Sequence, residues 1–242
     1  MARWKILLEY DGTRFRGWQK QRHGRTVQAE LEKALTTFCQ QKINVMGQGR
    51  TDSGVHAAGQ VAHADLPEQA PVERLLPAMR GLLPCDMAVI NAEQVPENFH
   101  ARFDATSRRY RYQIARRPLP LKRHLYWIHI QELEADILHK CASLIIGEHN
   151  FKNYSRQDVK EQNTVCRITT SQWDIDGDLY IYRIEGNRFL RHLVRRLVGT
   201  MQQAAIGKLS VDHFSHLLAA RDVSKKGHAA PPEGLILEKV RY

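Results

Sequence analysis

Gly47-Gln-Gly-Arg-Thr-Asp-Ser-Gly-Val-His-Ala-Ala-Gly-Gln-Val-Ala-His-Ala64 is the stretch on which the reading of this chain turns. Four glycines, Gly47, Gly49, Gly54 and Gly59, flank one carboxylate, Asp52, in a segment too rich in glycine for a helix interior. Thr51 and Ser53 bracket Asp52, and Arg50 stands two positions before it. If the segment is extended, Arg50 and Asp52 fall on one face. An arginine beside a carboxylate favours the charged acid, which readies it to attack or to accept a proton. The same residues also suit a plain surface turn, because Asp, Ser and Gly satisfy their own backbone. Chemistry alone leaves both readings open.

Upstream, Trp4–Tyr10 is rich in strand formers and ends in an Asp11-Gly12 turn. Cations and aromatics then alternate: Arg14, Phe15, Arg16, Trp18, Lys20, Arg22, His23 and Arg25. Guanidinium groups bind phosphate and aromatic faces stack on exposed bases, so this interleaving suits RNA. A solvated basic loop with Trp18 packed on the core explains it equally well. Val27, Leu31, Ala34, Leu35 and Phe38 make one stripe of a helix over Val27–Phe38, with Thr26 as N-cap. Ile43–Met46 reads as a short strand leading into the glycine-rich stretch, and Val55–Ala64 as a strand leaving it. Val72, Leu75, Leu76 and Met79 mark a second helix, within which Pro77 stands as a residue that shortens or kinks helices.

Downstream, Asn98-Phe99-His100-Ala101-Arg102 is followed by Ser107-Arg-Arg-Tyr-Arg-Tyr112, a strand with Tyr110 and Tyr112 on one face. A lobe boundary is placed near Phe103, giving lobes 1–103 and 104–242; no glycine- or serine-rich linker marks it. Arg116–Arg123 is a proline-punctuated basic loop. Ala135–Ile146 is a helix ended by Gly147, and Arg167–Trp173 and Leu179–Ile184 flank Asp176-Gly177, a hairpin signal. Asn187–Ile206 reads as a helix with Leu190, Leu193, Val194, Leu197, Val198 and Met201 on one face. Arg188, Arg191, His192, Arg195 and Arg196 gather opposite. A charge run is usually a solvated face, yet like charges with no acid among them repel unless an anion is near. Val211–Ala219 is a short helix, and Ile236–Tyr242 a closing strand.

Across its 242 residues the chain carries a formal charge of +10, with 43% hydrophobic and 26% charged residues. This is a globular composition whose charge points to a polyanionic partner. Cys39, Cys85, Cys141 and Cys166 are far apart, with no metal-ligand spacing, and read as reduced, mostly buried thiols of a cytoplasmic protein. His56 and His63 with Asp65 match no zinc spacing, so no metal is expected. No signal peptide is apparent, and no stretch approaches the ~18 apolar residues of a membrane span.

Gly49-Arg-Thr-Asp-Ser-Gly-Val-His-Ala57 closely resembles the signature of the TruA family of tRNA pseudouridine synthases. Further matching blocks are Tyr10-Asp11-Gly12, Phe15, Gly17-Trp18-Gln19, Thr26-Val27-Gln28, the stretch around Tyr110, Gly186-Asn187, Phe189, His192–Arg195, Gly199 and the C-terminal Ala230–Leu235 motif. The resemblance therefore covers nearly the whole chain. It implies Asp52 as catalytic nucleophile, Tyr110 as active-site tyrosine, Arg195 as the arginine paired with the aspartate, and Leu235 on the uracil pocket. Arg50, Arg14, Arg16 and Arg102 are the candidate RNA contacts. Arg196 departs from the asparagine that often follows the arginine. The implied architecture is α+β: two lobes, each an antiparallel sheet with helices on one side, joined across a central basic cleft. It further implies a homodimer, a tRNA anticodon stem-loop substrate modified at uridines 38–40, and no cofactor.

Two rivals come from other classes. A non-catalytic RNA-binding protein uses the same basic surface but forms no pseudouridine; the presence of all three blocks carrying Asp52, Tyr110 and Arg195 disfavours it. An Asp–His hydrolase built on Asp52 and His56 lacks an accompanying nucleophile elbow or metal site.

Overall fold

A computed structural model describes residues 1–68, 71–156, 163–219 and 226–242. In chain order these carry β1 (Ala2–Tyr10), α1 (Val27–Cys39), β2 (Val45–Gly47), β3 (His56–Leu66), α2 (Leu75–Leu82), β4 (Met87–Gln94), β5 (Ser107–Ala115) and β6 (Trp127–Ile128). There follow α3 (Ala135–Ser143), β7 (Gly147–Asn150), β8 (Val165–Asp176), β9 (Leu179–Gly186), α4 (Leu193–Ala205), α5 (Val211–Leu218) and β10 (Leu235–Arg241). The fold is α+β. Its contacts divide it into one unit of Met1–Thr106 with Ile236–Tyr242 and another of Ser107–Leu235.

In the first unit the strands lie in the order β4-β1-β3-β10. β1 is antiparallel to β3, from Ala2 opposite Leu66 to Tyr10 opposite Ala57, and antiparallel to β4. β10 joins β3 in parallel with Ile236 opposite His56, while β2 pairs with β3 at Val45 opposite Ala64. Alternation along β1 buries Ile6, Leu8 and Tyr10 on one face. α1 buries Val27, Leu31, Ala34 and Leu35 of the expected stripe and leaves Phe38 half-buried, and Thr26 caps it by accepting from the Ala29 N–H at 3.4 Å. The second helix begins later than its apolar spacing predicts, at Leu75, after a 3-10 turn over Val72–Arg74. Pro77 then falls in the first turn, where its missing N–H has no intrahelical acceptor to lose. Leu75 and Met79 are buried; the side chain of Val72 lies outside the described residues.

In the second unit the order is β5-β9-β8-β7, antiparallel throughout, with β6 alongside β5 in parallel at Ile114 opposite Trp127. The expected β8–β9 hairpin closes with Asp176 opposite Leu179. Its register shifts between Ile168 and Thr170, so Thr169 is a bulged extra residue. The bulge keeps Cys166, Ile168, Ser171 and Trp173 buried although their parity changes. Side-chain bonds then tie β8 to the helices: Ser171 Oγ donates to Ala142 O at 2.7 Å, and Trp173 Nε1 donates to Met201 Sδ at 3.2 Å.

The basic helix is shorter than its periodicity predicts. It starts at Leu193, not Asn187, because β9 runs to Gly186 and Asn187 is bonded to Arg167 of β8. The Asn187 N–H donates to Arg167 O at 3.1 Å, and Asn187 Oδ1 accepts from the Arg167 N–H at 2.9 Å. His192 turns the chain into the helix from a left-handed conformation, φ +66°. Arg195 and Arg196 are thus helical, whereas Arg188 and Arg191 precede the helix. Cys141 and Cys166 are buried, but Cys39 is half-buried and Cys85 exposed, and the four form no disulfide. No helix among the described residues is long and apolar enough to cross a membrane.

Candidate active site

The Asp52 loop is held by a second loop, residues 12–18, at backbone distance. Gly17 has φ +82°, and a Cβ there would lie 2.5 Å from Thr51 O and 3.1 Å from the Asp52 carbonyl carbon. At Gly12 a Cβ would lie 2.0 Å from Val55 O. Only glycine allows the loops to touch in this way. The Trp18 N–H donates to Thr51 O at 3.1 Å, and the Gly54 N–H to Phe15 O at 3.3 Å. The Val55 N–H donates to Asp52 O at 3.2 Å, closing a turn across Asp52 itself. Beneath it the Tyr10 hydroxyl and Thr51 Oγ1 share a buried 2.8 Å hydrogen bond. Burial pushes the Tyr10 phenol up to about 12, so this support is neutral. Asp52 is half-buried between exposed Arg50 and Ser53. Tyr10, part of the matching Tyr10-Asp11-Gly12 block, was given no role of its own by the sequence; the structure makes it a support for the loop.

His56 is engaged locally. Its Nδ1 accepts from the Gly12 N–H at 3.0 Å, and Asp11 Oδ1 lies 3.1 Å from the same nitrogen.

The interleaved basic loop separates by residue type. Phe15 and Trp18 are 1% and 3% exposed, so they are core residues and not faces for stacking on bases. Arg25 is also structural: its terminal nitrogens donate to Asp86 at 2.6 and 2.7 Å, its Nε to Glu30 at 2.8 Å, and its guanidinium sits 4.2 Å over the Phe15 ring. This pairing holds the Asp86 carboxyl below its ordinary range. Arg14 and Arg16 are exposed on the loop that touches the Asp52 loop.

Arg102 is exposed on a turn built by histidines. His100 Nδ1 accepts from the Arg102 and Phe103 N–H groups at 3.1 and 3.3 Å, and the His100 N–H donates to Asp104 at 2.8 Å. His63 anchors the turn to β3, accepting from the Ala101 N–H at 3.1 Å. Burial, then Arg3 and His100, push His63 down to about 4, against the opposing pull of Asp65 and Asp104. The unfolded chain, with its histidine near 6.5, therefore binds more protons between these values. Stability from this anchor is present above pH ~6.5 and is lost as pH falls through about 4. Thermal melts across that window should decline more steeply for the parent than for His63→Gln; parallel curves would remove His63 from this role.

In the second unit, Tyr110 lies on β5 opposite Ile184, half-buried, with the Phe189 ring edge-on at 5.0 Å. Tyr112, on the same strand face, is fully buried and donates to Pro231 O at 2.8 Å. Burial first and Glu233 second push its phenol well above the ordinary value, with Arg195 pulling the other way. Arg195 Nε donates to Ala230 O at 2.8 Å, and Arg195 O accepts from the Ala230 N–H at 2.9 Å. Further along, the Gln113 N–H donates to Gly234 O and the Leu235 N–H to Pro232 O, both at 2.9 Å. Residues 230–235 are thus laced to Arg195 at one end and to β5 at the other, which links Arg195, buried Leu235 and the Tyr110 strand. Asp52, Arg50, Arg14, Arg16 and Arg102 belong to the first unit, and Tyr110 and Arg195 to the second, as does Leu235.

The family profile described as tRNA pseudouridine synthase matches residues 6–104 and 141–242. A tRNA pseudouridine synthase A of Solidesulfovibrio magneticus is 41% identical over 255 residues, covering 100% of this chain and 92% of that protein. Those of Rhodopseudomonas palustris and Lysinibacillus sphaericus are 41% and 38% identical, each over 247 residues and 100% of both chains. The chain belongs to the tRNA pseudouridine synthase family.

Proposed function

We propose that the chain isomerises uridine to pseudouridine at one or more of positions 38, 39 and 40 of the tRNA anticodon stem-loop, with Asp52 as the nucleophile. Its family is one of isomerases named for action on tRNA. The reaction breaks the bond from uracil N1 to ribose C1′, turns the base and rejoins it through C5. Substrate and product have the same mass, and no external group is transferred. Whether the carboxylate adds to uracil C6 or to ribose C1′, the step needs an anion held in place before the substrate arrives.

The observation that carries this reading is the clamp on the Asp52 loop, whose backbone is fixed by Gly12, Gly17, Trp18 and Phe15. Such preorganisation removes a reorganisation cost from the chemical step. In this reading Arg195 holds the carboxylate, Tyr110 stacks on the flipped uracil, and Leu235 packs against it. Arg50, Arg14, Arg16 and Arg102 take RNA phosphates and help to offset the few kcal/mol that flipping a base costs. The enzyme acts as a cytoplasmic homodimer. Mapping pseudouridine in an unmodified tRNA transcript after incubation tests the proposal. Binding without product favours a non-catalytic RNA-binding protein, and release of a fragment favours a hydrolase.

Tyr110 offers a separate test. Base–aromatic stacking is worth about 1–3 kcal/mol, so Tyr110→Ala should weaken substrate engagement by about 5- to 150-fold. Tyr110→Phe keeps the ring. If the hydroxyl removes the C5 proton, this variant binds normally and stalls after the base is detached. If only stacking matters, it turns over almost as the parent does. Normal turnover in Tyr110→Ala would take this tyrosine out of the site.

A further inference from the structure

Arg196 lies beside Arg195 in the first turn of α4. Its Nη1 donates to Gly227 O at 2.5 Å, while its Nε is buried and meets no acceptor among the described residues. One residue earlier, Lys226 Nζ donates to Lys152 O at 3.3 Å. These bonds end on main-chain oxygens and set half-buried Arg196 and Lys226 where α4 meets the 3-10 turn Lys152–Tyr154 and the 226–228 segment, with half-buried Lys152 near enough for its charge to act on Lys226.

The scaffold under the three cations is tightly fixed. The Gly227 N–H donates to Asn153 O at 3.0 Å, and the His228 N–H donates to Thr200 Oγ1, also at 3.0 Å. Thr200 Oγ1 in turn donates to Arg196 O at 2.7 Å. A Cβ on Gly227 would lie 2.7 Å from Thr200 Oγ1 and 2.8 Å from the Tyr154 ring, so the segment has no room to withdraw toward the helix. Among the described residues, the charges that weigh on Arg196 and Lys226 are positive. Burial and then Arg195 hold Arg196 below its ordinary value, and burial, Arg196 and Lys152 do the same to Lys226. Among the described residues no carboxylate pairs with any of the three.

A cluster of this kind is complete only with an anion. A planar guanidinium fork beside two ammonium groups matches the free oxygens of a phosphate, and the N-terminal end of α4 adds partial positive charge. We infer that Arg196, Lys226 and Lys152 form a phosphate site that takes a backbone phosphate of the RNA substrate. The inference rests on the proposed RNA substrate, and its role is separate from that of Arg195. A phosphate contact supplies affinity and register without reading sequence, so losing it weakens binding and leaves saturated turnover alone.

The test measures affinity for an unmodified tRNA transcript across a potassium chloride series, for the parent and for the double variant Lys152→Gln/Lys226→Gln. The expected result is a log–log salt slope shallower by about one and affinity about tenfold weaker, with saturated turnover within about twofold of the parent. Arg196→Asn should act in the same direction; if it fails to fold, the lysine pair carries the test. Inorganic phosphate is titrated into both proteins without RNA by calorimetry. If the variant loses phosphate binding while its RNA slope matches the parent's, the ligand is free phosphate and the proposal is overturned. Equal RNA affinities with parallel slopes overturn it outright, as does a loss of turnover without a loss of affinity. Pseudouridine mapping of the parent runs alongside. A parent that makes no product, in a series where the slope still falls on substitution, would sink the proposed activity and leave the phosphate site standing.

Discussion

Asp52→Asn is expected to abolish pseudouridine formation, lowering turnover by at least about four orders of magnitude, while tRNA affinity stays within a few-fold. Asparagine has nearly the shape of aspartate but no charge to attack with. The loop around it is held through main-chain groups: Thr51 O accepts from Trp18, Asp52 O from Val55, and the Gly54 N–H donates to Phe15 O. None of these bonds uses the Asp52 side chain, so all three persist in the variant, and a thermal melt beside the parent checks that it folds. Single-turnover product mapping beside a binding titration separates the outcomes. Clear turnover by pure Asp52→Asn protein would end the nucleophile assignment. A large loss of affinity would instead make Asp52 a binding group.

The parts of the fold that could be read from the sequence are those in which one local period repeats. α1 announces itself through Val27, Leu31, Ala34 and Leu35 with Thr26 before them, and the β8–β9 hairpin through Asp176-Gly177. β4 escaped because an edge strand has little to alternate against: Ile90 is 48% exposed and most of its neighbours are exposed or half-buried. That β10 pairs in parallel with β3 leaves no trace in either segment, since pairing partners far apart in sequence impose no local pattern. The basic helix was drawn too long for a related reason. The apolar spacing runs on through Leu190, but the bonds from Asn187 to Arg167, 20 residues away, tie the end of β9 to β8, and the chain turns into the helix only at His192.

The candidate site was legible through its glycines and opaque in its long-range pairings. The glycine density of Gly47–Gly59 argued only against a helix; the close backbone approach to this loop comes from Gly12 and Gly17, in a loop distant in sequence. Composition alone left open which way Phe15 and Trp18 point. Their burial removes the stacking half of the RNA reading for that loop and leaves Arg14 and Arg16 as its exposed contribution. Arg25 looked like one more phosphate contact because Asp86, its partner, lies 61 residues away. A cation is assigned to a ligand or to the fold only when its acid is found.

Arg195→Ala is expected to cost about 10²–10³ in turnover, the loss typical of removing one preorganised charge-stabilising donor, with a much smaller change in tRNA affinity. Arg195→Lys should recover only part of it, and the geometry says why. Arg195 Nε donates to Ala230 O at 2.8 Å, which fixes the plane of the guanidinium. A lysine has one nitrogen. It can keep the bond to Ala230 or reach a carboxylate, but it cannot offer a two-pronged grip in a set plane. The Ala230 bond also separates a structural effect from a chemical one. If Arg195 serves only to hold residues 230–235, Arg195→Ala should lower the melting temperature and loosen substrate binding at Leu235, raising KM while kcat survives. If Arg195 acts on the Asp52 carboxylate, kcat falls and KM changes little. Full kcat in a folded Arg195→Ala protein would return this arginine to the scaffold.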